Sequence, residues 1–495
     1  MSATVVPVRP PAHPLPAAPG PRTRSAIAWS LVVCSGVATA ALMPRGPVTG
    51  TAVPALIIGA ALTGVLTGRL IRSRWALIAA PLLHVAVWEL ARATVFRAEG
   101  LTFERPHLDV SLGVAVFLAV HVAYGLLAGV PMLIGVLAGR AWARRRLPAA
   151  VVTGVALLAV LAAGLLIVWP ARVAPVTGAT GGVAALERVR LGGAAQWVSM
   201  RGHDGANPVL LHLSGGPGTS DVGWVRTFNQ PLERSFTVVV WEQRGAGKSY
   251  PALDPAGRLT LDRMVSDGVE LAAWLTRRFG QPKIYLTGNS WGSTLGVLMA
   301  QRRPDLFHAY VGTGQMVSQR ETDRRIYRQL LDHAAGTGDE SLRQRLTALG
   351  EPPYRDLYGY ALVMQYYDAL EPYERTAAFE AARGLAGFHP DEYSWLDTWN
   401  ELRGFADMGG LLYPQLQGVD FRADVPALDV PVYFVQGRYE LTARSALAGE
   451  WIAQLRAPIK RTYVFEHSGH NPDAEEPERF NALLVRTVLA DTHAR

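Results

Sequence analysis

A single cysteine, Cys34, stands in the 495 residues of this chain. No intrachain disulfide can form, and no cysteine-based metal site can be built. Lysine is missing from the first 172 residues, which hold 15 arginines and four acids, a balance of +11. So little charge leaves that region without the polar face a soluble domain needs. The remaining residues carry 33 basic and 37 acidic side chains, a balance of −4. The overall charge of +7 therefore originates in the first part of the chain, not in a basic surface on the second. Nucleic-acid binding loses its electrostatic footprint, and no nucleic-acid partner is expected. No internal repeat is visible.

What fills the first part is apolar. Five long runs cover about 26–43, 50–68, 75–95, 111–138 and 149–169. Each is long enough to cross a bilayer as a helix. In lipid the backbone must satisfy its own hydrogen bonds, so helices are expected. Arginine alternates between high and low counts along the connecting segments. Arg9, Arg22 and Arg24 precede the first run, and Arg45 stands alone in the first loop. Arg69, Arg72 and Arg74 occupy the second loop, and Arg97 and Arg105 in the third are offset by Glu99, Glu104 and Asp109. Arg140, Arg144, Arg145 and Arg146 fill the fourth, and Arg172 alone follows the fifth run. Positive charge favours the cytoplasmic side, so the N-terminus is expected inside and everything after the fifth run outside. The first run is alternatively a cleaved signal peptide, with small residues at Val37-Ala38-Thr39-Ala40-Ala41. Either way the second part is exported, and an exported domain without disulfides suggests a bacterial envelope. Glu89 and His84 lie in the third run and His121 in the fourth. Ionisable groups in spans are candidate functional groups; Glu89 is expected instead to pair with Arg92, one turn on.

Residues 1–25, rich in Pro and Ala, read as a disordered tail. Residues 26–170 form the membrane domain, 171–185 a Gly- and Pro-containing linker, and 186–495 a second domain. There, strand and helix patterns alternate from about 186 to 312 and again from 430 to 490, predicting a mostly parallel sheet covered by helices. The intervening stretch, about 318–427, reads as mainly helical and is expected to cap the sheet.

The chemistry centres on Gly288-Asn289-Ser290-Trp291-Gly292. A strand-like run, Lys283 to Leu286, precedes it, and a helical run, Ser293 to Ala300, follows. Strand, GxSxG turn and helix describe a nucleophile elbow, with the serine hydroxyl at a helix N-terminus. Upstream, strand-like Val209 to Leu213 runs into Ser214-Gly215-Gly216-Pro217-Gly218. Bare backbone N–H groups of that loop can approach a developing oxyanion, from Gly216 or alternatively Gly215, with the second donor the N–H of Trp291. Downstream, the strand at Val430 to Val435 leads to Glu440, and that at Arg461 to Phe465 leads to His467 and His470. An acid and a base just past the C-terminal ends of strands suit a triad in the chain order Ser, acid, His. Glu440 would orient His470, which would take the Ser290 proton. His470 is preferred over His467 because Gly469 lets the loop bend the ring toward the serine.

These segments resemble the proline iminopeptidase-like group of α/β-hydrolases over about residues 185–490. The group's His-Gly-Gly-Pro-Gly loop reads here Ser214-Gly215-Gly216-Pro217-Gly218. Its Asp-Gln-Arg-Gly-x-Gly-x-Ser segment reads Glu242-Gln243-Arg244-Gly245-Ala246-Gly247-Lys248-Ser249. Its Gly-Arg-Tyr-Asp segment reads Gly437-Arg438-Tyr439-Glu440, and Trp291 follows the serine as it commonly does there. The departures are Ser214 for histidine and Glu242 and Glu440 for aspartate. The resemblance implies an α/β-hydrolase domain with a mostly parallel sheet and a helical cap, which the five apolar runs precede with an N-terminal all-α transmembrane bundle of about five helices. It implies a serine hydrolase without metal or organic cofactor, acting on small peptides as an aminopeptidase or on small or lipid-like esters as a carboxylesterase. Cap carboxylates bind a substrate amine in the group; Glu371, Glu374, Asp391, Glu392 and Glu401 are the candidates here. Tyr354, Tyr366, Tyr367, Trp395 and Trp399 are candidate pocket aromatics, although helix packing is the commoner use of such residues. A serine at the elbow disfavours epoxide- or haloalkane-opening chemistry. Outside the enzyme class stand a transporter or sensor with a non-catalytic hydrolase-like domain, and a binding module without turnover. The expected partners are a small peptide or ester substrate and the lipid bilayer.

Overall fold

A computed structural model describes residues 20–100, 111–169, 173, 175–176, 181–354, 357–383, 387 and 389–493. Most of the tail read at 1–25 and much of the linker read at 171–185 lie outside the described residues. Among the described residues, five helices are long and apolar enough to cross a membrane. They are α1 (Pro21–Leu42), α2 (Ala52–Leu70), α3 (Ala76–Thr94), α4 (Ser111–Ala143) and α5 (Leu147–Ile167). Helix α1 takes in residues 21–25, which the composition had assigned to the tail; Pro21 suits a first helical position, where its missing N–H has no partner to lose.

The chain divides into two compact units. One comprises Met1–Pro44, Pro54–Arg97 and Tyr124–Ala163. Its helices meet through small residues, as apolar helices do when close backbone approach replaces the hydrophobic effect. A Cβ on Gly68 of α2 would lie 2.1 Å from the Val136 carbonyl oxygen of α4, and one on Gly139 of α4 would lie 2.1 Å from that of Val65. Gly64 and Gly135 interlock the same way, a turn earlier on each helix. Arg92 pairs with Glu89 at 2.7 Å, as their spacing predicts, and its guanidinium also lies over the Tyr124 ring.

The other unit comprises Arg45–Val53, Ala98–Ala123 and Gly164–Arg495. Its strands are β1 (Val183–Leu191), β2 (Ala194–Gly202), β3 (Val209–Leu213), β4 (Thr237–Glu242), β5 (Ile284–Asn289), β6 (Phe307–Thr313), β7 (Val432–Gly437) and β8 (Lys460–Phe465). They form one sheet in the order β1-β2-β4-β3-β5-β6-β7-β8. The β1–β2 and β2–β4 pairs are antiparallel and the others parallel. The mostly parallel sheet is as expected; strict strand–helix alternation begins only after β2. Gly192 and Gly193, both with positive φ, close a two-residue hairpin too short for a helical crossover.

Helices α6 (Val222–Phe228), α7 (Leu261–Phe279) and α8 (Trp291–Arg302) follow β3, β4 and β5. Between β6 and β7 the chain runs through α9 (Gln319–Thr337), α10 (Glu340–Leu349), α11 (Leu357–Met364), α12 (Tyr367–Leu370), α13 (Ala377–Ala381), α14 (Trp395–Leu416) and α15 (Phe421–Asp424). Helix α16 (Thr442–Gln454) follows β7, and α17 (Pro472–Glu475) and α18 (Pro477–Leu483) follow β8. Strands β3, β4 and β5 are buried along their whole length, which is why they read as continuous apolar runs and not as alternation.

Candidate active site

The end of β5 turns sharply at Ser290, whose φ of 52° and ψ of −117° place it in a region L-residues avoid. Close packing holds it there. A Cβ on Gly288 would lie 2.3 Å from the Gly292 carbonyl oxygen, and one on Gly292 would lie 2.0 Å from that of Leu213. The Ser290 N–H donates to the Thr313 carbonyl at the end of β6. Trp291 opens α8, and its indole N–H donates to Gln243 at 2.8 Å. Gln243 in turn donates to the Ser214 carbonyl, tying the elbow to the glycine-rich loop.

That loop is held by Asp221. Its Oδ2 accepts from the Gly215 N–H at 3.2 Å and pairs with His212 Nε2 at 2.8 Å. Ser214, in place of the expected histidine, uses its hydroxyl to accept from the Asp221 N–H. The neighbouring Glu242-Gln243-Arg244 segment is scaffold. Arg244 forks onto Asp267, and Glu242 accepts from the Lys248 N–H at 2.7 Å. Burial pushes the Glu242 carboxyl up to about 7 despite that bond and the Lys248 charge.

Strands β7 and β8 deliver the other two groups. Their following loops are stitched together by the Arg438 and Tyr439 N–H groups on the carbonyls of Phe465 and Ser468. Glu440 Oε2 meets His470 Nδ1 at 2.5 Å, and Glu440 Oε1 accepts from the Leu441 N–H at 2.9 Å. Burial by itself would raise the Glu440 pKa; the adjacent His470 and the Arg444 guanidinium outweigh it and hold the carboxyl at about 2. Asn289 Nδ2 donates to the His470 carbonyl and so ties the loop after β8 to the elbow. His467 is exposed and gives its backbone N–H to Glu476, away from the cavity.

Ser290, Glu440, His470, Gly215, Gly216 and Trp291 all line one cavity of about 460 Å³. Of the five candidate cap acids, Glu371 and Glu401 reach its wall. Glu374 and Asp391 are exposed, and Glu392 is buried against Arg226. Glu401 is itself buried, accepts from the Ser220 N–H at 3.1 Å, and has its pKa driven up by burial and by neighbouring Glu242. Among the candidate aromatics Tyr367 lines the cavity, Tyr354 and Tyr366 pack in a helical cluster, and exposed Trp395 stacks on His389.

Arg444 is a wall residue that sequence reasoning missed. It approaches Glu440 at 3.4 Å, donates to the hydroxyls of Tyr360 and Tyr367, and lies over the Tyr367 ring. Its signal was its spacing, four residues after the acid at the start of a helix.

A family model described as the alpha/beta hydrolase fold matches residues 208–477, more than half of the chain. The chain belongs to that family. The probable aminopeptidase YbaC of Bacillus subtilis (strain 168) is 30% identical over 311 residues, 61% of this chain and 96% of the relative. A proline iminopeptidase of Clostridioides difficile (strain 630) is 24% identical over 303 residues, 58% and 92% respectively. Among solved structures, a proline iminopeptidase-related protein of Thermus thermophilus matches with a TM-score of 0.44 and 20% identity, covering 63% of this chain and 98% of that one. This α/β hydrolase is an enzyme with aminopeptidase-like relatives, carrying five helices apolar enough to cross a membrane ahead of its catalytic fold.

Proposed function

We propose that this hydrolase is a membrane-anchored, extracytoplasmic aminopeptidase of the proline iminopeptidase kind, working through Ser290, His470 and Glu440. The observation that carries the reading is one cavity wall holding the strained serine, the histidine–glutamate pair and a buried carboxylate, Glu401, on the facing helix. Ser290 Oγ bonds to the substrate carbonyl carbon as its proton passes to His470 Nε2. Glu440, ionised, holds the ring by Nδ1 and stabilises the imidazolium. The oxyanion is held by the N–H groups of Trp291 and Gly216; Gly215 is the weaker candidate, because its N–H already serves Asp221. His470 then protonates the leaving amine as the C–N bond breaks, and water attacks the acyl-enzyme by the reverse sequence.

Glu401 supplies recognition. A buried carboxyl with no cation beside it among its described contacts is favoured by an ammonium that arrives as its charge partner, so it discriminates for a substrate's free amino end. An N-terminus inside and a catalytic unit outside are supported by the alternating arginine counts and by the odd number of span candidates, five, among the described residues. They are supported too by the loop Arg45–Val53, which belongs to the same compact unit as the catalytic fold. A carboxylesterase is the second reading, favoured by the apolar side walls at Trp224, Met364, Phe379 and Phe405.

The test is hydrolysis of a prolyl arylamide against a short-chain aryl ester by detergent-solubilised protein, with Ser290→Ala as the blank. Arylamide turnover that Ser290→Ala abolishes supports the aminopeptidase. Ester turnover alone moves the assignment to the esterase, and failure of a phosphonate to label Ser290 removes both.

A further inference from the structure

Arg45 is the lone arginine of the first loop, and the alternation rule leaves it without a purpose. It is 2% exposed. Its Nε donates to Asp254 at 2.7 Å, Nη2 donates to the Glu99 carbonyl, and Nη1 lies 3.7 Å from Asp407 on α14. The loop backbone is gripped in return. Arg403 of α14 donates to the carbonyls of Arg45 at 2.8 Å and Pro47 at 3.0 Å, and Asn400 donates to that of Val48 at 3.0 Å. Val48 packs on the main apolar core of the catalytic fold. Asn400, Arg403 and Asp407 are each at most 1% exposed. Desolvating so many polar groups is costly unless the partners hold fixed positions, so this is a built joint and not a loose surface contact.

The spacing of these residues on α14 gives the joint a consequence. Positions 400, 403 and 407 form one stripe of the helix, and 401, 405 and 409 form the next. The first stripe holds the loop; Glu401, Phe405 and Gly409 of the second line the catalytic cavity. Between them Gly404 rests on the backbones of Gly245 and Gly218, with a would-be Cβ 2.2 Å from the Gly245 oxygen. The helix cannot move closer to the sheet at that point, so its rotation there is set by its side-chain bonds: those to the loop on the first stripe, with the Tyr250 hydroxyl on Asp407 and Lys248 on Asp397 beside them.

We propose that Arg45 is a positioning residue for substrate binding: through α14 it holds Glu401 at the cavity wall, so a segment between the first two membrane-span candidates is part of the substrate site. This rests on the reading of Glu401 as the amine-recognising group. Ser290, His470 and Glu440 sit on the sheet side and do not depend on the joint.

The experiment compares full-length Arg45→Met, Arg45→Lys and Glu401→Gln in detergent, with kcat normalised to phosphonate-labelled Ser290 so that misfolded protein is not counted. For Arg45→Met, KM for the prolyl arylamide is expected to rise about 10-fold, with kcat per labelled site within about 2-fold and KM for an aryl ester without an amine nearly unchanged. Arg45→Lys, which keeps the charge but loses the fork, is expected to fall between. Equal losses on both substrates, or an unchanged arylamide KM beside a raised one in Glu401→Gln, overturn the role of Arg45 alone. An arylamide KM unmoved by Glu401→Gln removes the amine reading and this inference with it.

Discussion

At Gly292 one methyl group decides whether the elbow exists. Its Cβ would lie 2.0 Å from the Leu213 oxygen, backbone that cannot move without breaking the β3–β5 pairing. Gly292→Ala is expected to destabilise by on the order of 3 kcal/mol or more and to abolish phosphonate labelling, checked by thermal unfolding and by label stoichiometry. In the proposed mechanism Glu440 acts through charge. Glu440→Gln is expected to lower kcat by roughly 10²- to 10⁴-fold while labelled protein still folds, since the histidine loses its orienting anion. The pH dependence has two signs. Glu440 is held at about 2, below the roughly 4.3 of an unfolded glutamate, so its stabilisation is complete above that value and is lost as pH falls toward 2. Glu242 is raised to about 7, so its contribution is complete below roughly 4.3 and is lost as pH rises through 7. Glu242→Gln keeps an oxygen for the Lys248 N–H. It is expected to be more stable than the parent at pH 8 and no more stable at pH 4.5, read as the difference in Tm.

Among the elements, α2 and α4 depend on four glycines and α14 on three polar residues. Gly139→Leu would drive a side chain into the Val65 carbonyl and separate the two helices. Loss of close packing there is expected to cost about 1–2 kcal/mol, seen as a lower thermal aggregation temperature in detergent, whereas Gly154→Leu on α5, with open space around it, is expected to be neutral. The GxxxG spacing at Gly64 and Gly68 and at Gly135 and Gly139 is written in the sequence, but which helix each pair faces is not. The same holds for α14. Glu401 was one of five acids that sequence left equivalent, because helical periodicity marks a face and not what that face meets.

For the whole molecule the arginine pattern makes a topological prediction. On a Cys34→Ser background, Arg277→Cys on the exposed face of α7 is expected to react with a membrane-impermeant maleimide in intact cells. Arg145→Cys, in the loop between α4 and α5, is expected to react only after lysis. The reverse pattern would place the catalytic unit in the cytoplasm and sink the export reading.

Local chemistry wrote much of this molecule into its sequence. Helices without polar faces, buried parallel strands and the glycines about Ser290 depend on neighbours within a few residues, where steric and solvation rules act directly. The positions of Glu440 and His470 past strand ends were legible for a related reason, since a parallel sheet presents all those ends at one edge. Only the tertiary structure decided that Asp221 occupies the Gly215 N–H, that Arg444 joins the acid to two tyrosines, and that Arg45 reaches α14 across more than 350 residues of chain. Such contacts join side chains whose separation in sequence carries no periodic signal, and the closure of the chain selects them.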